Sequence, residues 1–231
     1  MLIAGLQKLT LLDYPGHMAC TVFTGGCNLR CPFCHNASLV LPEKLGGFMD
    51  EEEFFAFLRK RQGILEGVAI TGGEPLLQKD MPDFLRRIRE LGYKIKLDTN
   101  GCYPEKLMEI VSAGLVDRVA VDIKNSPELY GSTVGIPGFD VKAVEKSKDF
   151  LLEGSVEYEF RTTAVKGLHT AESIAEAARW IAGAREYYLQ QFKNSGELID
   201  GAGLGSFTED EMNTLLKAAA EFVPAVQLRG I

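Results

Sequence analysis

ACTVFTGGCNLRCPFCHN, residues 19–36, runs from a β-branched and aromatic stretch into a loop that carries Cys27, Cys31 and Cys34 among two glycines, a proline and polar groups. Residues 19–25 read as a strand, and the loop sets the question of what the thiols bind. Three cysteines leave one over from a disulfide, and they fall one short both of a four-ligand zinc site and of an all-cysteine cluster site. Thiolates hold iron–sulfur clusters with one cysteine per iron, so three of them on a four-iron cluster leave one iron for a ligand that is not protein. The alternative is zinc held by the three cysteines with His35 or His17. Against it stands the lack of a second Cys-x2-Cys pair, since Cys20 and Cys102 are isolated.

Outward from this loop, short β-rich runs alternate with longer amphipathic ones, the pattern of βα units on a parallel sheet. Strands are expected at 67–71, 93–99, 118–124, 157–165 and 186–192 after the first. Helices are expected at DEEEFFAFLRKR (50–61) behind Asp50, KDMPDFLRRIREL (79–91) and PEKLMEIVSAG (104–114) opened by Pro104. Three more lie at 140–154, 170–183 and 208–222. Six repeats are too few for a closed eight-stranded barrel, so the expected architecture is α/β, a partial (β/α)6 TIM-like barrel in one domain over 1–231, with a flat open sheet as the alternative. In either, ligands gather at the carboxyl ends of strands. The unusual polar groups fall there: the cysteine loop, Gly72-Gly73-Glu74-Pro75, Asp98-Thr99-Asn100-Gly101, and Asp122 with Lys124. The Gly- and Pro-rich segment 125–140 reads either as an active-site flap or as an irregular surface loop.

With 46% apolar and 25% charged residues the composition is that of a globular protein with a sizeable core. The net charge of −7, without a long Lys/Arg run, argues against nucleic acid or anionic lipid as partner. No apolar run approaches the roughly 18 residues of a membrane span, and MLIAGLQKLTLLDYPG lacks a basic leader, so a cytoplasmic location is expected. Clustered thiols in a reducing compartment more often bind metal than pair.

The Cys-x3-Cys-x2-Cys loop with Phe33 before its last cysteine, followed by Gly-Gly-Glu-Pro after the next strand, resembles the radical S-adenosylmethionine (radical SAM) superfamily. LDYPGHMACTVFTGGCNLRCPFCHN (12–36), TGGEPLLQ (71–78), LDTNG (97–101) and VDIK (121–124) further resemble the glycyl-radical enzyme activating proteins, above all those of anaerobic ribonucleoside-triphosphate reductase. The resemblance implies a partial barrel of the radical SAM type and one [4Fe–4S] cluster on Cys27, Cys31 and Cys34. It also implies reductive cleavage of S-adenosylmethionine to a 5′-deoxyadenosyl radical, which takes a hydrogen from a glycine of a partner glycyl-radical enzyme. Residues 35–101 contain no cysteine, so the second cluster region of many such proteins is absent there, and an external flavodoxin or ferredoxin is the implied reductant. A small-molecule enzyme such as a 7-carboxy-7-deazaguanine synthase is the second reading; DYPG and the CHN after the last cysteine favour the first.

Carried over by motif, Phe33, Cys34 and His35 meet the adenine, and Gly72 and Gly73, lacking Cβ, let backbone approach the methionyl ammonium. Glu74 either reinforces that site or caps the following helix. Asp122, Ile123 and Lys124 are implied cofactor contacts, with Asp122 and Lys124 on one face of their strand beside the ribose and methionyl carboxylate. Asp98 with Thr99 matches a site where relatives hold a monovalent cation that Asp122 shares, and an Asp98–Lys124 ion pair is the plainer reading. Arg161 points either to the cofactor or outward. The sixth strand lacks the histidine some relatives use there, leaving Gln190 or Gln191 as hydrogen-bonding substitutes. His17 and His169 read as surface or packing residues and Cys20 as a small buried hydrophobe.

Overall fold

The computed structural model describes residues 1–194 and 196–231. It forms two compact units, Met1–Asn28 with Ser38–Ala120 and Ser155–Glu157, and Leu29–Ala37 with Val121–Gly154 and Tyr158–Ile231.

In the first unit β1 (Ile3–Thr10) pairs antiparallel with β2 (Ala19–Thr24). β2, β3 (Gly67–Gly72) and β4 (Lys94–Thr99) are parallel, with Val22 opposite Ile70 and Ile70 opposite Leu97. β5 (Arg118–Asp122) leads into the second unit, which holds β6 (Glu157–Ala164), β7 (Tyr187–Gln191) and β8 (Val226–Arg229). β6–β7 and β7–β8 are again parallel. The six strands expected from sequence are present, and β1 and β8 are additional. β1 escapes a period-2 reading because register shifts interrupt its pairing between Ile3 and Gly5 and between Gln7 and Thr10.

The helices begin where the capping chemistry puts them. After a short turn of helix, α1 (Ala37–Val40), α2 (Glu51–Arg61) starts at Asp50, whose carboxylate accepts from the Glu52 and Glu53 amides. α3 (Met81–Glu90) and α4 (Pro104–Ser112) each carry proline in the first turn, where the missing N–H costs nothing. In the second unit α5 (Tyr130–Thr133) and α6 (Lys142–Leu152) precede α7 (Ala171–Trp180) and α8 (Glu209–Ala220), which open with the capping boxes Thr170/Ser173 and Thr208/Glu211.

The first core packs the apolar strand residues Val22, Ala69, Ile70 and Leu97 with Phe54, Phe55 and Phe84, whose ring centroids lie 5.3 Å apart. Each such ring contributes about 1.5–3 kcal/mol by burial.

Residues 125–140 hold more regular structure than an irregular surface loop, including the short helical turn Tyr130–Thr133. Asn125, Tyr130, Thr133 and Val134 are buried, Asn125 donates to Thr133 Oγ1 (2.8 Å) and to the Leu168 carbonyl (3.0 Å), and Arg30 N donates to the Val134 carbonyl. Gly135, at φ +71°, lies so close to the Arg30 carbonyl that a Cβ would overlap it. Glycine and proline serve here to fold a tight helical turn against the middle of the cysteine loop.

Candidate functional site

In the first unit the ends of β2, β3 and β4 are tied by one carboxylate. Glu74 is fully buried; its Oε1 accepts from Thr99 Oγ1 (2.7 Å) and the Leu76 amide (3.0 Å), and its Oε2 accepts from the Asn100 amide (2.7 Å). The side chain thus caps the turn Pro75–Leu77 and binds the LDTN end of β4 to the GGEP end of β3. The amides of Gly73 and Glu74 donate to the carbonyls of Thr24 and Gly26 (2.9 and 2.8 Å). Gly72 stands at φ +114°, and a Cβ on it would overlap Thr24, while one on Gly73 would overlap Gly26. The close approach that requires these glycines is to the backbone that begins the cysteine loop.

Asn100 completes this half. Its Nδ2 donates to Asn28 Oδ1 (2.8 Å) and to Cys27 Sγ (3.8 Å), and its Oδ1 accepts from the Cys102 amide (3.0 Å). LDTNG is legible as a motif, but nothing in it announces that Asn100 serves a cysteine sulfur. Asp98 pairs with Lys96, whose ammonium stands 2.5 Å from Oδ1 with only 1% of the side chain exposed. The sequence reading offers Lys124 as the ion-pair alternative to a cation site and does not single out Lys96; alternation in KIKLDT puts Lys96 and Asp98 on one face of the same strand.

In the second unit Lys124 belongs to Asp122. Its ammonium donates to Asp122 Oδ2 (3.0 Å), while Arg161 Nε and Nη2 both reach Oδ1 (3.0 Å), so Arg161 points inward. Burial alone would raise the Asp122 carboxyl, but the Arg161 and Lys124 charges outweigh it and hold the group well below the usual carboxylate range. Burial likewise opposes the charge on Lys124, and Asp122 and then Cys31 reverse the effect, so the ammonium is held protonated. Lys124 Nζ also lies 5.9 Å from the Phe33 ring centroid. Ile123 is fully buried, its amide donating to the Arg161 carbonyl (2.8 Å) and its carbonyl accepting from Thr162 Oγ1 (2.6 Å). The charge chain continues from Arg161 to buried Glu159, which Arg229 clasps with two bonds of 3.1 and 3.0 Å.

His35 packs on Phe192 just past β7, ring centroids 5.3 Å apart. Phe192 is a contact that motif reading missed; its one signal was an aromatic residue closing the last expected strand (186–192). Gln191 Nε2 donates to the Phe207 carbonyl (2.6 Å), and its buried Oε1 has no hydrogen-bond partner among the described residues. His169 is a buried packing residue: Nδ1 accepts from the Val165 amide (3.1 Å) and Nε2 donates to the Lys124 carbonyl (2.8 Å), fixing the neutral tautomer. His17 sits edge-on to Tyr14 near Glu66. Burial pushes the Cys20 thiol up to about 12, as suits an inert core residue.

Residues 21–181 match the family model described as the radical SAM superfamily. The chain belongs to the radical SAM superfamily. Membership implies a [4Fe–4S] cluster and S-adenosylmethionine. A provisionally named glycyl-radical enzyme activating enzyme of Methanocaldococcus jannaschii, MJ1227, is 33% identical, the alignment covering 100% of this chain and 96% of that one. The 7-carboxy-7-deazaguanine synthase of Koribacter versatilis is 32% identical over 64% of this chain and 62% of its own length. The crystal structure of SuiB from Streptococcus suis bound to S-adenosylmethionine superposes with a TM-score of 0.68 at 15% identity, over 89% of this chain and 48% of that one. This chain therefore spans about half of SuiB. The likeness shows the radical SAM fold, the class expected from the sequence as a partial (β/α)6 barrel.

The side chains suit what this radical SAM enzyme has to hold. Cys27 has an amide donor on its sulfur, and Cys31 has the charge of Lys124 nearby. Burial raises the Cys34 thiol, offset in part by the Asn36 amide and Lys124, so this cysteine gives up its proton when metal replaces it. No helix among the described residues is long and apolar enough to cross a membrane.

Proposed function

We propose that this radical SAM enzyme, with residues 1–231 acting as one domain, installs a glycyl radical on a partner enzyme, an anaerobic ribonucleoside-triphosphate reductase, with electrons from a flavodoxin or ferredoxin. The observation that carries this reading is the extent of similarity. The match to the provisionally named activating enzyme covers 100% of this chain, whereas that to the deazaguanine synthase covers 64%. In this reading Cys27, Cys31 and Cys34 hold the cluster. When bound, the cluster and S-adenosylmethionine supply a reductive cleavage that makes a 5′-deoxyadenosyl radical.

The chain's own residues bind and orient. Phe33, the backbone at Cys34, and His35 take the adenine side. Carbonyls of Gly72 and Gly73 accept from the methionyl ammonium, with Glu74 holding that backbone in place through its three accepted bonds rather than touching the cofactor. Asp122, kept ionised by Arg161, serves the ribose, and Ile123 and Lys124 follow it along the carboxylate side.

The test is anaerobic reconstitution with iron and sulfide, reduction, and incubation with S-adenosylmethionine and the reductase from the same organism. A glycyl-radical doublet in the electron paramagnetic resonance spectrum is expected, and Cys31→Ala should lower 5′-deoxyadenosine formation below detection. Cofactor cleavage without a doublet, coupled to formation of 7-carboxy-7-deazaguanine from a small molecule, would move the assignment to the deazaguanine synthase class.

A further inference from the structure

In the first unit the outer edge of β1 is left half-paired. Along its inner side β1 runs antiparallel to β2, from Ile3 opposite Thr24 to Thr10 opposite Ala19. On its outer side the described residues supply a single bridge: Met49 pairs antiparallel with Ile3, its amide donating to the Ile3 carbonyl (2.8 Å), before the chain turns away at Asp50 into α2. Among the described residues Gly5–Lys8 have no strand beyond them, and Gln7 Nε2 covers the Leu9 carbonyl (3.0 Å) where the edge ends. An open edge of this kind is a template for one more strand.

A groove of about 460 Å³ lies beside that edge, between β1 and one side of α2. Half-buried Leu6 and Phe57 give it an apolar lining, and Lys8, Lys60 and Arg61 stand along it against one lining carboxylate, Glu53. The neighbouring Arg59 meets Glu52 (3.9 Å), whereas Lys8, Lys60 and Arg61 form no ion pair among the described residues. Arg61 rests over the Phe57 ring, 5.6 Å from its centroid, which keeps the guanidinium beside the groove. In a chain of net charge −7, three cations around one apolar strip make a local excess of positive charge. Basic residues in the last turn of α2 also suit the helix C-terminus, but that explains neither Lys8 on β1 nor the open strand edge.

We propose that this groove takes an extended acidic segment of a partner protein, which adds to β1 as a strand and sets carboxylates at alternate positions against Lys8, Lys60 and Arg61. Main-chain bonds to the edge supply affinity, and the alternate side chains supply specificity. A second copy of this chain is a poor occupant. Two β1 strands pairing about a two-fold axis would bring the cations of one groove beside those of the other, and like charges across an interface oppose association. None of these residues belongs to the proposed cofactor site, so the inference goes beyond the radical SAM reading and does not depend on it.

The test uses the full chain and fluorescein-labelled peptides of about six residues, the usual strand length, read by fluorescence anisotropy. One alternates glutamate with valine, a second alternates lysine with valine, and a third is the glutamate peptide with its backbone nitrogens methylated. The glutamate peptide should bind at least about tenfold more tightly than either of the others. Bound peptide should slow hydrogen exchange at the amides of Gly5–Lys8. Lys8→Glu combined with Lys60→Glu should weaken glutamate-peptide binding about tenfold, while the reconstituted enzyme cleaves S-adenosylmethionine at the wild-type rate.

No binding of the glutamate peptide, equal binding of the glutamate and lysine peptides, or unchanged exchange across Gly5–Lys8 would overturn the proposal. Full affinity of the methylated peptide would do so too, by reducing the groove to a patch of charge. A chain that sediments as a dimer with Gly5–Lys8 already protected would give the edge to a second copy, and overturn it as well. If the double variant does not fold, the peptide series on wild type decides.

Discussion

The β3–β4 end of the first unit and the β5–β6 end of the second each gather residues that the sequence singled out, and the two are built on different physics. At β3–β4 one buried carboxylate, Glu74, accepts bonds from a hydroxyl and two amides, all neutral donors. At β5–β6 charges alternate from Lys124 through Asp122, Arg161 and Glu159 to Arg229. Neutral donors around a carboxylate fix backbone geometry, because each bond is short-ranged and directional. Alternating charges set a potential that acts over longer distances and is less demanding of position. The first end should therefore respond to mutation chiefly in stability, the second chiefly in affinity for charged ligand groups.

The comparison breaks if paired substitutions behave alike. Glu74→Ala leaves Thr99 Oγ1 and two amides without their acceptor in a dry setting and should cost about 3 kcal/mol in the urea unfolding of the apoprotein. Asp122→Asn keeps the shape and loses the charge. It should cost about 1 kcal/mol, being partly solvated, but weaken S-adenosylmethionine binding about tenfold by calorimetry on the holoenzyme. Equal stability losses would erase the distinction. A finer test falls on Asn100, where the first end touches the cluster loop. Asn100→Ala removes the donor to Cys27 Sγ, a bond that favours the more electron-rich reduced state. The midpoint potential should drop by about 20–40 mV, equivalent to roughly 1 kcal/mol or less for a one-electron couple; an unchanged potential would remove Asn100 from the cluster's surroundings.

The smallest effect is expected at His169, which anchors the Lys124 carbonyl from behind. Burial depresses its pKa, so the unfolded chain binds the proton more readily than the folded one. Its contribution is fully present above the ordinary histidine pKa of about 6.5 and is lost as pH falls through the lower folded value. Wild type should lose stability relative to His169→Gln as pH falls below about 6.5, measured by thermal melts of the apoprotein; identical pH slopes would sink the assignment.

What could be read from the chain follows from where its information is local. Six strands and six helices were legible because apolar periodicity, Asp and Thr caps and proline at helix starts act within a few residues. β8 was not: its four residues, two half-buried, carry too little pattern. The cysteine spacing was legible for the same local reason, and so were GGEP and VDIK as motifs. Partnerships were not. A lysine in an alternating strand reads as solvent-facing, and Lys96 is buried because Asp98 two positions on offers it a charge. Glu74 reads as a cofactor-site residue with a helix cap as the alternative, and only the fold, by bringing Thr99 and Asn100 to it, shows that it also ties the end of β4 to that of β3.

Gly73 presses so closely on Gly26 that neither the GGEP turn nor the start of the cysteine loop has room to change shape alone. For anyone transplanting a cysteine loop from another superfamily member into this chain, the smallest exchangeable piece is thus discontinuous in sequence. It comprises the segment after β2 together with the Gly-Gly step that closes β3, and a chimera that moves one without the other should fail to fold.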